Sequence, residues 1–147
     1  MRAPLGIIPA LVLGGALLAS PAFAKEQHFT EQDNGQITFV MPSNNIGCIY
    51  TPAGGTDTYE PLDGGPELSC DRIEPSYVNV ILGPNEPAAI TEDPGEQSCC
   101  GGDNIFKYGY TVELEGFTCR SSTKGLTCES TDSGYGFSMA RAGVYDY

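Results

Sequence analysis

The sequence predicts an all-β domain, a small antiparallel sandwich or barrel stabilised by disulfides, and three observations predict it. Turn-forming clusters recur at short intervals: "DNG" at 33, "PSNN" at 42, "PAGG" at 52, "LDGG" at 62, "LGPNEP" at 82 and "EDPG" at 92. Between them lie short runs in which apolar and polar residues alternate with period two, the pattern of half-buried strands. Six cysteines follow an N-terminus of the export type, which reads as a disulfide framework.

The N-terminus comes first because it decides the chemistry of the cysteines. Arg2 supplies a positive start, Leu5 to Leu18 is an apolar run, and Ala22-Phe23-Ala24 has the small-x-small pattern of a cleavage site. Residues 1–24 therefore read as a signal peptide, with a mature chain of 123 residues (147 − 24) beginning at Lys25. The apolar run is short for a bilayer span, and no later run is longer, so no span is expected after cleavage. The first cysteine is Cys48, too far on for a lipid-anchored start. A periplasmic or secreted location follows.

Residues 25–35 are polar and read as a flexible lead-in, and 36–147 as a single β domain, with helix confined to a turn or two. Ile37, Phe39 and Met41 fall on one strand face, and Ile46, Cys48 and Tyr50 on another. Leu68 and Cys70 share a face. Tyr77 to Leu82 is a continuous apolar-rich run suited to a strand covered on both sides. Residues 83–98, with three prolines and four carboxylates, read as a long surface loop. Tyr108, Tyr110, Val112 and Leu114 alternate, as do Tyr135, Phe137 and Met139.

Zinc competes with disulfides for the cysteines. No Cys-x-x-Cys spacing is present, and the single histidine, His28, lies outside the cysteine region. In "GFTCRSSTKGLTCES" an antiparallel hairpin with the four-residue loop Ser122–Gly125 sets Cys119 opposite Cys128, Arg120 opposite Thr127 and Ser121 opposite Leu126. Directly opposed Cβ atoms come within disulfide reach. Phe117, Cys119, Leu126 and Cys128 then share the apolar face. Cys48 and Cys70, each in an alternating segment, form the next pair. Cys99 and Cys100 remain, and a bond between neighbours is the outcome if the other two pairs are correct. Six cysteines allow about 15 connectivities, and the sequence alone does not choose among them.

The order of "FVMPSNNIGCIY", "LSCDR", "CGGD", "YGYTVELEGFTCRSSTKGLTCES" and "GYGFSMARAGVY" resembles an uncharacterised family of small secreted bacterial cysteine-containing domains, a domain of unknown function. Pro42, Ser43, Asn45, Ile46, Gly47 and Cys48 carry its first motif here, and Gly134, Gly136 and Phe137 its last. The resemblance runs from about Phe39 to Tyr145. It implies export and the fold, and no activity. In that family the third cysteine usually stands apart from the fourth, whereas here Cys99 and Cys100 adjoin.

After cleavage six Lys and Arg stand against 19 Asp and Glu, a net charge of −13 (6 − 19). Such a surface repels nucleic acid and anionic lipid, and serves solubility or a basic partner. Ser43, Asn44 and Asn45 read as turn residues that bond nearby backbone. A Ser-His-Asp set lacks a base near any serine. Glu113 and Glu115 share a strand face as ordinary solvated carboxylates, and Asp63, Asp71, Asp103 and Asp132 stand beside turns, so neither a metal nor another cofactor is expected. Tyrosines crowd the last third. Alternate strand positions place most of them in the core, whereas an exposed set, Tyr108, Tyr110 and Tyr135, suits contact with a protein or carbohydrate. The function expected is therefore binding of a protein or cell-envelope component by a non-enzymatic, monomeric exported domain. A small carboxylate-dependent hydrolase and a purely structural envelope module are the alternatives.

Overall fold

The computed structural model describes residues 24–97 and 99–147. The expected signal peptide, apart from Ala24, lies outside the described residues. Among these there are twelve strands and no helix: β1 Lys25–Glu26, β2 Ile37–Val40, β3 Ile46–Thr51, β4 Glu67–Arg72, β5 Val78–Leu82, β6 Ala89–Glu92, β7 Asn104–Ile105, β8 Tyr110–Leu114, β9 Phe117–Ser122, β10 Gly125–Ser130, β11 Gly136–Ala140 and β12 Gly143–Asp146. They build two six-stranded sheets, ordered β1-β8-β9-β10-β11-β12 and β6-β5-β4-β3-β2-β7. Neighbours pair antiparallel except the two-residue strands β1 and β7, which run parallel to β8 and β2. The fold is a disulfide-stabilised β-sandwich.

Each sheet is nearly one stretch of chain. The N-terminal sheet takes residues 37–105, and the C-terminal sheet takes 110–146 plus β1. The core follows the period-two pattern. Ile46, Cys48, Tyr50, Leu68, Cys70, Val78, Val80 and Leu82 come from one leaf. Val112, Leu114, Phe117, Cys119, Leu126, Cys128, Phe137 and Met139 come from the other. Full burial of one such large apolar side chain is worth about 1.5–3 kcal/mol, which is what fixes the register of each strand. Residues 77–82 depart from the two-sided expectation. Val78, Val80 and Leu82 point inward, whereas Ile81 is exposed and Asn79 donates to Ser69 and Asp71 on the outer face. The run is one-faced because Asn79 breaks its apolar character on the outer side.

Both expected bridges are present, each joining directly opposed residues of a central strand pair. Cys48 faces Cys70 across β3 and β4, and Cys119 faces Cys128 across β9 and β10, with Cα atoms 4.1 Å apart in both. Cys99 and Cys100 are paired with each other. The hairpin register is the expected one but its loop is shorter. Ser122 and Gly125 also pair, leaving only Thr123 and Lys124 in the turn, and Gly125 (φ +138°) supplies backbone that an L side chain rarely adopts.

Residues 25–35, expected as a lead-in, are tied to the body. Gln27 donates its side-chain amide to the Ile105 carbonyl and accepts from the Lys107 N–H. Asn104 does the same for Thr30. Phe29 packs on Phe39 and edge-on to Phe106. Residues 83–98 are not loop throughout: Ala89–Glu92 form edge strand β6 against β5, hidden from sequence reasoning because three of its four residues are exposed. From β6 the chain returns as a strap over the outer face of its sheet. Asp93 N bonds the Tyr77 carbonyl, the Cys99–Cys100 pair lies over β4 and β3, and Gly102 lies over Phe39 of β2. A Cβ on Gly47 would lie 3.1 Å from Cys100 Cβ and from both sulfurs, so the cystine occupies the space a side chain would need.

Candidate functional site

Strand directions gather the turns 41–46, 73–77, 106–109, 123–124 and 141–142 at one end of the sandwich. A cleft of about 410 Å³ opens among them, with Met41 and Ile46 as its apolar floor. Ser43 and Asn45 line it from the N-terminal sheet, Tyr108 from the crossover, and Ser122 to Gly125 and Ala140 to Ala142 from the C-terminal sheet. Three stretches singled out in the sequence, "PSNN", "SSTKG" and "MARAG", thus meet around one concavity.

The turn before β3 is built by its own polar residues. Asn44 N bonds the Met41 carbonyl, and Asn44 adopts a left-handed conformation (φ +58°), which asparagine tolerates. Buried Asn45 donates to the Glu74 carbonyl at 3.0 Å and accepts from the Glu74 N–H at 2.7 Å, clasping the β4–β5 turn. Its N–H reaches the Ser43 hydroxyl at 3.4 Å. The expectation that these residues bond nearby backbone holds for Ser43, whereas the Asn45 side chain reaches backbone 29 positions on. Behind the cleft, Arg72 is 5% exposed and its guanidinium bridges the two sheets. Nη1 donates to the Ala140 carbonyl at 2.8 Å, and Nε and Nη2 donate to Ser76. Its hydrogen-bond acceptors among the described residues are all neutral.

Charge is distributed unevenly between the two ends. Five of the six cations after residue 24 belong to the cleft end: Lys25 and Lys107, both near the Tyr110 ring, with Arg72, Lys124 and Arg141. The cations that line the cleft are Lys124 and Arg141, and no carboxylate lines it. Glu26, Asp71, Glu74, Glu92, Asp93 and Glu96 are the acids at this end, none of them among the lining residues. At the far end the connections carry Asp33, Asp57, Glu60, Asp63, Glu86, Glu115 and Asp132, and no cation. The cations are therefore segregated to the cleft end, where acids offset them overall but leave Lys124 and Arg141 as the only charged groups in the lining.

The structure does not bring the three expected tyrosines together. Tyr108 lies in the cleft, Tyr110 is half-buried against the core one turn away, and Tyr135 is exposed at the far end. Nor are most tyrosines core residues: Tyr59, Tyr108, Tyr135, Tyr145 and Tyr147 are exposed, Tyr77 and Tyr110 are half-buried, and Tyr50 alone is buried. The reason is position, since Tyr108 and Tyr135 precede their strands and Tyr145 and Tyr147 sit on or beside edge strand β12. Glu113 accepts from Thr118, Glu115 occupies the β8–β9 turn, and neither lines either concavity. Among the described residues no group of three or more His, Cys, Asp or Glu is placed to hold a metal, and no helix is long and apolar enough to cross a membrane.

A second, smaller concavity of about 230 Å³ lies on the outer face of the N-terminal sheet, lined by Gln36, Ile49, Thr51, Tyr59, Glu67, Ser69 and Ile81. Here the Tyr59 hydroxyl donates to Glu67 at 2.6 Å. That bond, then burial and the Glu67 and Asp63 charges, push the Tyr59 phenol up to about 12. Lys124, Arg141 and Arg72 were not singled out in the sequence, where they are scattered single charges. Comparison with protein-family models, with curated proteins and with solved structures returns no match.

Proposed function

We propose that the protein is exported to the periplasm or beyond, released after Ala24, and works as a monomer that binds a protein or cell-envelope component at the turn-end cleft without catalysing a reaction. The observation that carries this reading is the cleft itself. Connections from both sheets surround a concavity of ligand size whose lining combines an apolar floor, hydroxyl and amide groups, and two cations. The lining residues include neither histidine nor carboxylate, so it offers donors for holding a group and no ordinary general base. The two buried intra-sheet bridges support an oxidising compartment. The carboxylate-hydrolase alternative draws no support from Glu113 and Glu115, which line neither concavity.

The test is capture from periplasm and medium by the immobilised exported protein, with mild cross-linking and mass spectrometry. Ala142→Trp, which fills the cleft from an exposed position, serves as the comparison. A partner held by the native protein and lost with the filled cleft is the expected result. Equal capture by both proteins would sink the assignment of the cleft as the site. The start of the exported chain is read by N-terminal sequencing, with Lys25 expected.

A further inference from the structure

We infer that the part of the partner that enters the turn-end cleft is an organic anion, an apolar body bearing one carboxylate, with Lys124 and Arg141 at the charged end and Met41 and Ile46 beneath the apolar end. This rests on the cleft being the binding site proposed above. Three observations point to the class. The chain is strongly acidic, yet five of its six post-24 cations sit at one end of the sandwich and two of them line the cleft. A net negative charge alone would give solubility without this segregation. The buried Arg72 guanidinium, bonded only to neutral acceptors, adds a fixed positive charge behind Ala140. The same lining supplies hydrogen-bonding groups from Ser43 and Thr123 beside the floor.

Chemistry at this scale favours an anion over a cation or a neutral ligand. A concave, partly apolar wall holds water back and concentrates the field of nearby charges, so a carboxylate entering there gains more than on an open surface. An inorganic anion would gain the charge interaction but leave Met41 and Ile46 uncovered. A neutral ligand would cover the floor and leave the cations to water. Only a ligand with both parts uses the whole lining.

The experiment is a titration of the ¹⁵N-labelled protein at low salt with four probes of related shape: phenylacetate, phenylacetamide, phenethylamine and sodium sulfate. Phenylacetate should shift the backbone amides of residues 43–46, 122–125 and 140–142 in a saturable way. Phenylacetamide should bind about tenfold more weakly, the scale of one or two partly exposed charge contacts. Sulfate should bind more weakly still, and phenethylamine should leave these amides unmoved. In Lys124→Gln/Arg141→Gln, both exposed positions, phenylacetate should weaken to the level of phenylacetamide while the remaining spectrum is unchanged. Equal affinities for phenylacetate and phenylacetamide overturn the anion inference but leave the cleft as a binding site. Sulfate binding as tightly as phenylacetate overturns the apolar half and with it the class. Absence of any shift in these amides up to saturating probe also overturns the inference, and the cleft-filling comparison above then decides separately whether the site stands.

Discussion

Replacing each buried bridge by a pair of alanines isolates what the staples contribute, and the structure allows the difference to be worked out. Cys119 and Cys128 are separated by 9 residues, Cys48 and Cys70 by 22. In the chain-entropy description these loops stabilise by about 2.6 and about 3.4 kcal/mol at 25 °C. All four cysteines are buried in the core to 3% exposure or less, so the packing lost with the sulfurs is similar and largely cancels between the two variants. Cys48→Ala/Cys70→Ala should therefore be the less stable by about 0.8 kcal/mol, and both should fall well below the native protein. For a domain of this size that gap is roughly 2–4 °C in Tm. The assay is equilibrium urea unfolding under non-reducing conditions, with the m-value followed beside the midpoint. Because the cross-links act on the unfolded chain, m should rise when either is removed. Equal losses, or a larger loss for the shorter loop, would refute the argument that the bridges act through the unfolded state.

Three further outcomes are expected. Gly47→Ala should destabilise by about 1–3 kcal/mol, because the new methyl meets the Cys99–Cys100 pair; protease nicking confined to 93–103 would report the strap lifting. Asn45→Ala should cost about 1–3 kcal/mol through loss of the clasp on Glu74, seen as a lower urea midpoint; an unchanged midpoint would show the clasp to be replaced by water. Tyr59 titrates higher in the folded than in the unfolded chain, so its contribution is complete below about pH 10, the unfolded value, and is lost as pH rises through about 12. Stability should decline across that window less steeply in Tyr59→Phe, and ultraviolet phenolate titration should lose its late component.

What could be read from the sequence was whatever repeats locally. Ile46, Cys48 and Tyr50, or Leu126 and Cys128, announce a buried face within a few residues, and the opposed cysteines follow from the same alternation. The strand Ala89–Glu92 was missed because an edge with exposed residues carries no such signal. The docking of 25–35 depends on Gln27 and Asn104 finding partners more than 70 positions away. The segregation of cations is the clearest case of information that only topology creates. Positions 25, 72, 107, 124 and 141 have no spacing in common, and come to the same end of the sandwich only once strand order and direction are known.

The near-contiguity of each leaf has a consequence for taking the molecule apart. The main chain passes between the sheets only along 27–36 and 106–109, and neither core bridge joins one leaf to the other. A single cut in the exposed Lys107–Gly109 segment would leave two pieces with no covalent bond between them, each still carrying its own cross-link. The first piece would also carry β1, whose place is at the edge of the second piece's sheet, so reunion would include the exchange of a strand. The protein is thus laid out as two halves held to each other by an apolar face, a few hydrogen bonds such as Arg72 to the Ala140 carbonyl, and one borrowed edge.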